Sequence, residues 1–146
     1  MLMDINFLGL VSAGTAFLSI WVGHVAVRKV EARAIHLWQP MLIALAGGLA
    51  LEVAALMISS RAWAAVCGIL GITLLWDAFE LQRQARRVHR GHAPANPENP
   101  RHAALLAEPG SAATTLNLLA RDPLGRAVNP DEAAHLVGGK AAGGQK

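Results

Sequence analysis

The stretch Ile5–Val27, INFLGLVSAGTAFLSIWVGHVAV, decides the fold. It holds no Asp, Glu, Lys or Arg along its whole length. As a helix rising 1.5 Å per residue it reaches about 34 Å, enough to cross a hydrocarbon core of about 30 Å. Two further apolar stretches follow: Met41–Ser60, MLIALAGGLALEVAALMISS, and Ala62–Trp76, AWAAVCGILGITLLW. The second opens just after Trp38-Gln39-Pro40, and proline is tolerated in a first helical turn, where an N–H has no partner. The third reaches only about 22 Å. It spans a bilayer if Asp77 and Phe79 also enter the interface, which places Asp77 at headgroup depth.

Three spans, at about residues 5–27, 40–60 and 62–79, predict an all-α membrane protein with three transmembrane helices. Helical periodicity continues through Glu80–Val88, so the third helix is expected to extend into the cytoplasm. The first span reads as a retained helix rather than a cleaved signal peptide. Its leading residues carry an acid, Asp4, and its apolar run exceeds a usual h-region.

Composition agrees. Of 146 residues, 53% are apolar and 16% charged, whereas soluble domains carry about 25% charged residues. The apolar excess lies before residue 77 and most of the charge after it. The net charge is +3 and the isoelectric point about 9.8. The basic residues flank apolar spans and lack stacking aromatics, which argues for the positive-inside effect and against nucleic-acid binding. Arg28, Lys29 and Arg33 follow the first span, and Arg83, Arg86, Arg87 and Arg90 follow the third. The opposite side has only Arg61. The expected topology is a multi-pass protein of the bacterial inner membrane, N-terminus periplasmic and C-terminus cytoplasmic. Trp21, Trp38, Trp63 and Trp76 fall near predicted span ends, as an aromatic belt would. The single cysteine, Cys67, reads as a small buried apolar residue.

Composition shifts again after Gly91. Residues 1–91 are expected to form the three-helix membrane domain with its basic extension. Residues 92–146 read as a Pro/Ala/Gly-rich cytoplasmic tail, mostly irregular and largely disordered. Pro94, Pro97 and Pro100 forbid regular helix there. Weak helices are expected at Ala103–Ala107 and Ala112–Arg121. A third, Pro130–Val137, would be capped by Asn129 and stopped by Gly138-Gly139. The last seven residues, from Lys140, read as disordered.

The run Leu74-Leu75-Trp76, Glu80-Leu81, Gln84, Arg86-Arg87-Val88, Gly91, Pro94 and Asn96-Pro97 resembles the signature of a family of short bacterial membrane proteins, domain of unknown function four-four-nine-one. Gly68-Ile-Leu-Gly71, Gly9-Leu10, His24, Lys29 and Glu31 add to the resemblance, which covers about residues 5–101. The chain departs from the family pattern at Val25, where proline is expected, at Ala32-Arg33-Ala34, where aromatics are expected, and at Ser59-Ser60, where an acid is expected. The resemblance implies a membrane location and supplies no activity.

Within the spans, Glu52 is the sharpest chemical feature. A carboxylate in mid-bilayer costs about 2.5–3.5 kcal/mol on insertion scales. Gly48 and Ala55 share its helix face, a small-residue surface suited to close helix packing. Ser12, Thr15, Ser19 and Thr73 are potential hydrogen-bond partners. Glu52 serves either a proton or cation relay or a neutral, hydrogen-bonded contact between helices or subunits. His24 suits proton handling or haem ligation, but the other spans offer no second histidine. Its plain reading is an interfacial residue bonded to Glu31 or a backbone carbonyl. Asp77, Glu80, Arg83, Arg86 and Arg87 form a charged run that faces either anionic headgroups or a cytoplasmic partner. Trp76, Glu80, Gln84, Arg86, Arg87, Pro94, Asn96 and Pro97 make up that expected docking surface.

No phosphate loop, nucleophile elbow or paired catalytic carboxylate is present in the sequence, so no enzymatic role, cofactor or metal is expected. Gly47-Gly48 and Gly68-x-x-Gly71 read as packing notches. The expected role is a small accessory or scaffold subunit that acts by association, as a homo-oligomer or with another membrane protein. The alternative is a small proton-coupled transporter using Glu52, and a haem-binding electron-transfer subunit is a third reading.

Overall fold

The computed structural model describes residues 7–122 and 124–143. The chain forms α1 (Phe7–Arg33), α2 (Trp38–Met57), α3 (Arg61–His89), α4 (Pro100–Ala107), a 3-10 turn at Leu118–Ala120 and α5 (Pro130–Gly143). No strand occurs among the described residues. Two compact units divide within α3: Met1–Arg83 and Gln84–Lys146.

The first unit is the expected trio of apolar helices, each long and apolar enough to cross a membrane. All three differ in extent from the apolar stretches. α1 continues past Val27 through its charged run to Arg33. α2 begins at Trp38, and its first helical bond is Met41 N–H to the Leu37 carbonyl at 3.2 Å. Pro40 therefore sits where its missing N–H breaks nothing. α2 ends at Met57, because Ile58 turns extended while its N–H still reaches the Ala54 carbonyl. α3 is one unbroken helix through the expected extension.

Side-chain contacts fix the register. Ser19 Oγ lies 3.3 Å from Thr73 Oγ1, and Gly23 faces Asp77. Both pairs share one offset, so α1 and α3 run parallel. Gly48 faces Gly71 and Leu75, Glu52 faces Gly71, and Ala55 faces Gly68, so α2 runs antiparallel to α3. Gly48 and Gly71 let the two backbones meet. A Cβ on Gly48 would stand 2.9 Å from the Gly71 carbonyl, and one on Gly71 would stand 3.0 Å from that of Gly48. The core is narrow, with Val27, Ala78 and Leu81 buried. Phe17, Ile43 and Leu56 point outward, Leu56 being 88% exposed. An apolar surface of this extent is the surface of a lipid-embedded bundle.

In the second unit, α3 ends in a Schellman motif. The Gly91 N–H reaches the Val88 carbonyl at 3.0 Å and the His92 N–H reaches that of Arg87 at 2.8 Å. Gly91 takes φ +71, a left-handed conformation that glycine adopts without strain. Its missing Cβ also leaves room for the Ala112 carbonyl. Beyond it, the Ala95 N–H donates to the Thr114 carbonyl at 2.8 Å. Asn99 caps α4 by accepting from the Arg101 N–H, with Pro100 at the first helical position. α4 thus starts three residues earlier than the expected Ala103.

The helix expected at Ala112–Arg121 does not form, apart from the 3-10 turn. The Ser111, Thr114 and Asn117 side chains accept from the N–H groups of Ala113, Leu116 and Leu119. Such local bonds offer the backbone an alternative to helix. α5 starts as expected, with Asn129 Oδ1 accepting from the Glu132 N–H at 2.8 Å. It does not stop at Gly138-Gly139 but runs to Gly143, and it packs against the 3-10 turn. Gly144–Lys146 lie outside the described residues, as do Ile5 and Asn6 of the first span and Asp4.

Candidate functional site

Glu52 lies on the α2–α3 seam. Its carboxyl rests over Gly71, with Oε1 2.7 Å from where a Cβ would stand. The residue is half-buried. Three of the four hydroxyls expected to serve it, all but Ser12, are engaged elsewhere. Thr15 donates to the Val11 carbonyl, Thr73 donates to that of Ile69, and Ser19 pairs with Thr73 and with the Ala16 carbonyl. Among the described residues, no hydrogen bond or ion pair reaches Glu52.

A second carboxyl is set the same way on the other seam. Asp77 of α3 lies over Gly23 of α1, its oxygens 2.7 and 2.9 Å from where a Cβ would stand. A cavity of about 350 Å³ opens beside it, lined by Ile20, His24, Ile72, Thr73, Trp76 and Asp77. His24 thus meets Asp77 across this groove, and the expected side-chain bond to Glu31 or a carbonyl does not appear among the described residues. Glu31 itself is 1% exposed, and it is not without an interaction partner.

The charged run on α3 is ordered by its own spacing. Glu80 and Arg83 pair at 3.4 Å, as an i,i+3 pair should. Arg87 donates to Gln84 Oε1 at 3.0 Å. Of the expected docking residues, Trp76, Arg86, Pro94 and Pro97 are exposed, Arg87 and Asn96 are half-buried, and Glu80 and Gln84 are buried. The last two carry polar structure rather than open surface.

The Asn96-Pro97 segment is a built turn. Asn96 Oδ1 accepts from the Glu98 N–H at 3.1 Å, and the Asn99 N–H reaches the Asn96 carbonyl at 3.1 Å. The Asn96 N–H donates to His102 Nδ1 at 2.9 Å, which fixes that ring nitrogen as an acceptor. The Arg101 guanidinium lies 2.9 Å from Nε2. His102 is fully buried and Asn99 nearly so. Sequence reasoning missed both. Asn99-Pro100 carried a helix-start signature, whereas nothing local marked His102.

Within the described residues, no group of three His, Cys, Asp or Glu side chains is placed to hold a metal ion. Cys67 is a free, half-buried thiol. No curated protein and no solved structure matches the chain. A family match covers residues 6–99, from the start of α1 to the Asn99 cap, and therefore includes both glycine-seated carboxyls and the Asn96 turn. On that match, the chain belongs to the family described as domain of unknown function DUF4491.

Proposed function

We propose that this protein is a scaffold or accessory subunit of the bacterial inner membrane, acting by association with a second copy or another membrane protein. The observation that carries the reading is the ordered segment after α3. Three prolines and a glycine are held there by the Schellman end and the Asn96 turn, and Arg86, Pro94 and Pro97 are exposed. A rigid, basic and proline-bearing surface suits a protein contact, because little ordering entropy remains to be lost on binding. The exposed arginines of α3 also suit anionic headgroups, each cation contributing about 1 kcal/mol.

Helix register supports the membrane placement. Arg61 and Arg83 are separated by about 33 Å along α3 at 1.5 Å per residue. By the α1–α3 offset, Arg28 and Lys29 lie level with Gln82 and Arg83. These cation planes bracket one hydrocarbon thickness. Their imbalance favours a cytoplasmic C-terminus. Co-purification from native membranes in mild detergent tests the reading. Capture of a stoichiometric partner or a homo-oligomer, lost in an Arg86→Glu/Pro97→Ala variant that still folds, is expected. Monomer alone from wild-type membranes would overturn it.

Glu52 supports a second reading, a proton-coupled exchanger. It falls near the midpoint between the cation planes and has no hydrogen-bond partner among the described residues. Ion flux in proteoliposomes that disappears in Glu52→Gln is expected on this reading, and flux that is absent, or unchanged in the variant, removes it.

A further inference from the structure

We infer that the groove between α1 and α3 at Asp77 binds the ammonium group of an alkyl amine. The inference goes beyond association and rests only on the three helices spanning a bilayer. Asp77 is six positions short of Arg83 on α3, so it lies about 9 Å inside the cation plane, deeper than the headgroup depth expected from the length of the apolar stretch. Trp76 lies about 10 Å inside the same plane, deeper than Trp38, which the antiparallel α2–α3 register places near that plane.

The groove has a consistent chemistry. Gly23 makes the space into which the Asp77 carboxyl projects. The nearby hydroxyls of Ser19 and Thr73 are already engaged with each other and with backbone carbonyls. Asp77 and His24 are the polar groups left facing the cavity, and neither has a side-chain hydrogen bond or ion pair among the described residues. A carboxylate inside hydrocarbon is stabilised by a cationic partner. The Trp76 indole, 56% exposed, offers a π-face to the same cation. A primary ammonium has three donors, which the Asp77 carboxylate oxygens can accept, with the His24 ring lining the same cavity. Ile20 and Ile72 then cover the first methylenes of the chain. A volume of about 350 Å³ is within the range of small-ligand sites. An anion would meet the carboxylate unfavourably, and a metal lacks a third ligand among the described residues.

The amine has two sources, an ethanolamine phospholipid or a free amphiphilic amine, and the test separates them. The full-length protein in phosphatidylglycerol nanodiscs, which contain no amine, is titrated with dodecylamine by tryptophan fluorescence and native mass spectrometry. Saturable binding of one amine per chain is expected. Asp77→Asn should weaken it by about tenfold or more, the scale of a lost charge-assisted hydrogen bond. Leu56→Ala, an outward-facing change on α2 away from the groove, should leave it unchanged. Phosphatidylethanolamine retained on wild type but not on Asp77→Asn would identify the lipid as the source, and dodecylamine binding without it the free amine. If Asp77→Asn fails to fold, dodecanol decides on wild type, because an uncharged chain of equal length should neither saturate nor compete. Equal binding to Asp77→Asn, or equal saturation by dodecanol, would overturn the inference. Neither result depends on whether a protein partner is captured.

Discussion

Glycines set how closely these helices approach, and their surroundings rank them. A Cβ on Gly48 would stand 2.8 Å from the Leu75 side chain and 2.9 Å from the Gly71 carbonyl. The side chain can rotate away, but the carbonyl belongs to the facing helix. Gly48→Ala should therefore force α2 and α3 apart, at about 1–3 kcal/mol, the usual cost of overpacking. Gly68 faces the Ala55 Cβ at 3.8 Å, an ordinary contact, so Gly68→Ala should be nearly neutral. Denaturation in mixed micelles, followed by circular dichroism, checks the contrast. The notches themselves were legible, because small residues at helical spacing have one main use in a membrane. The seating of Asp77 over Gly23 was not. It depends on the register between α1 and α3, and nothing within either helix encodes the offset.

Among the elements, the α5 start at Asn129-Pro130 and the long α3 behave as their residues suggest, whereas the glycine pair Gly138-Gly139 does not end α5. The Ala112–Arg121 segment does not form the expected helix, because helix propensity there loses to three side-chain caps and to the Ala95–Thr114 bond. Two glycines in the second unit then separate strain from collision. Gly91 and Gly125 share a left-handed φ, +71 and +70. Around Gly125 a Cβ would meet nothing within 4 Å, whereas at Gly91 it would strike the Ala112 carbonyl. Gly125→Ala should cost only the left-handed strain, about 1–2 kcal/mol. Gly91→Ala should cost more and loosen the Asn96 turn, visible as faster amide exchange at Ala95 and Asn96. At the start of α5, Arg126 donates to both Glu132 oxygens, one at 3.0 Å. The guanidinium beside it holds the Glu132 carboxyl below its usual range. A depressed carboxyl favours the folded arrangement above its ordinary pKa and loses that preference as pH falls through the lowered value. Carboxyl shifts of Glu132 in the full-length protein should thus titrate at lower pH than those of a free glutamate, and Arg126→Ala should restore the ordinary value.

At the scale of the whole molecule, the three apolar helices were plain in the sequence, because lipid selects for length and hydropathy that no soluble fold needs. Orientation is a separate question, decided by where cations are tolerated rather than by packing. Arg28 and Lys29 on α1 and Arg83 on α3 share one plane by register, against Arg61 alone at the other end, and the excess should stay cytoplasmic. Single cysteines in a Cys67→Ser background give a direct test. Ser59, exposed in the turn between α2 and α3, should react as Ser59→Cys with a membrane-impermeant maleimide in intact spheroplasts. Ser111, in the segment that follows α4, should react as Ser111→Cys only after lysis. The reverse pattern would invert the molecule. It would carry the Asn96 turn and the exposed arginines of α3 to the periplasmic face, away from any cytoplasmic partner. The Asp77 groove would keep its chemistry but lie near the opposite leaflet, so the labelling result also decides which leaflet supplies its amine.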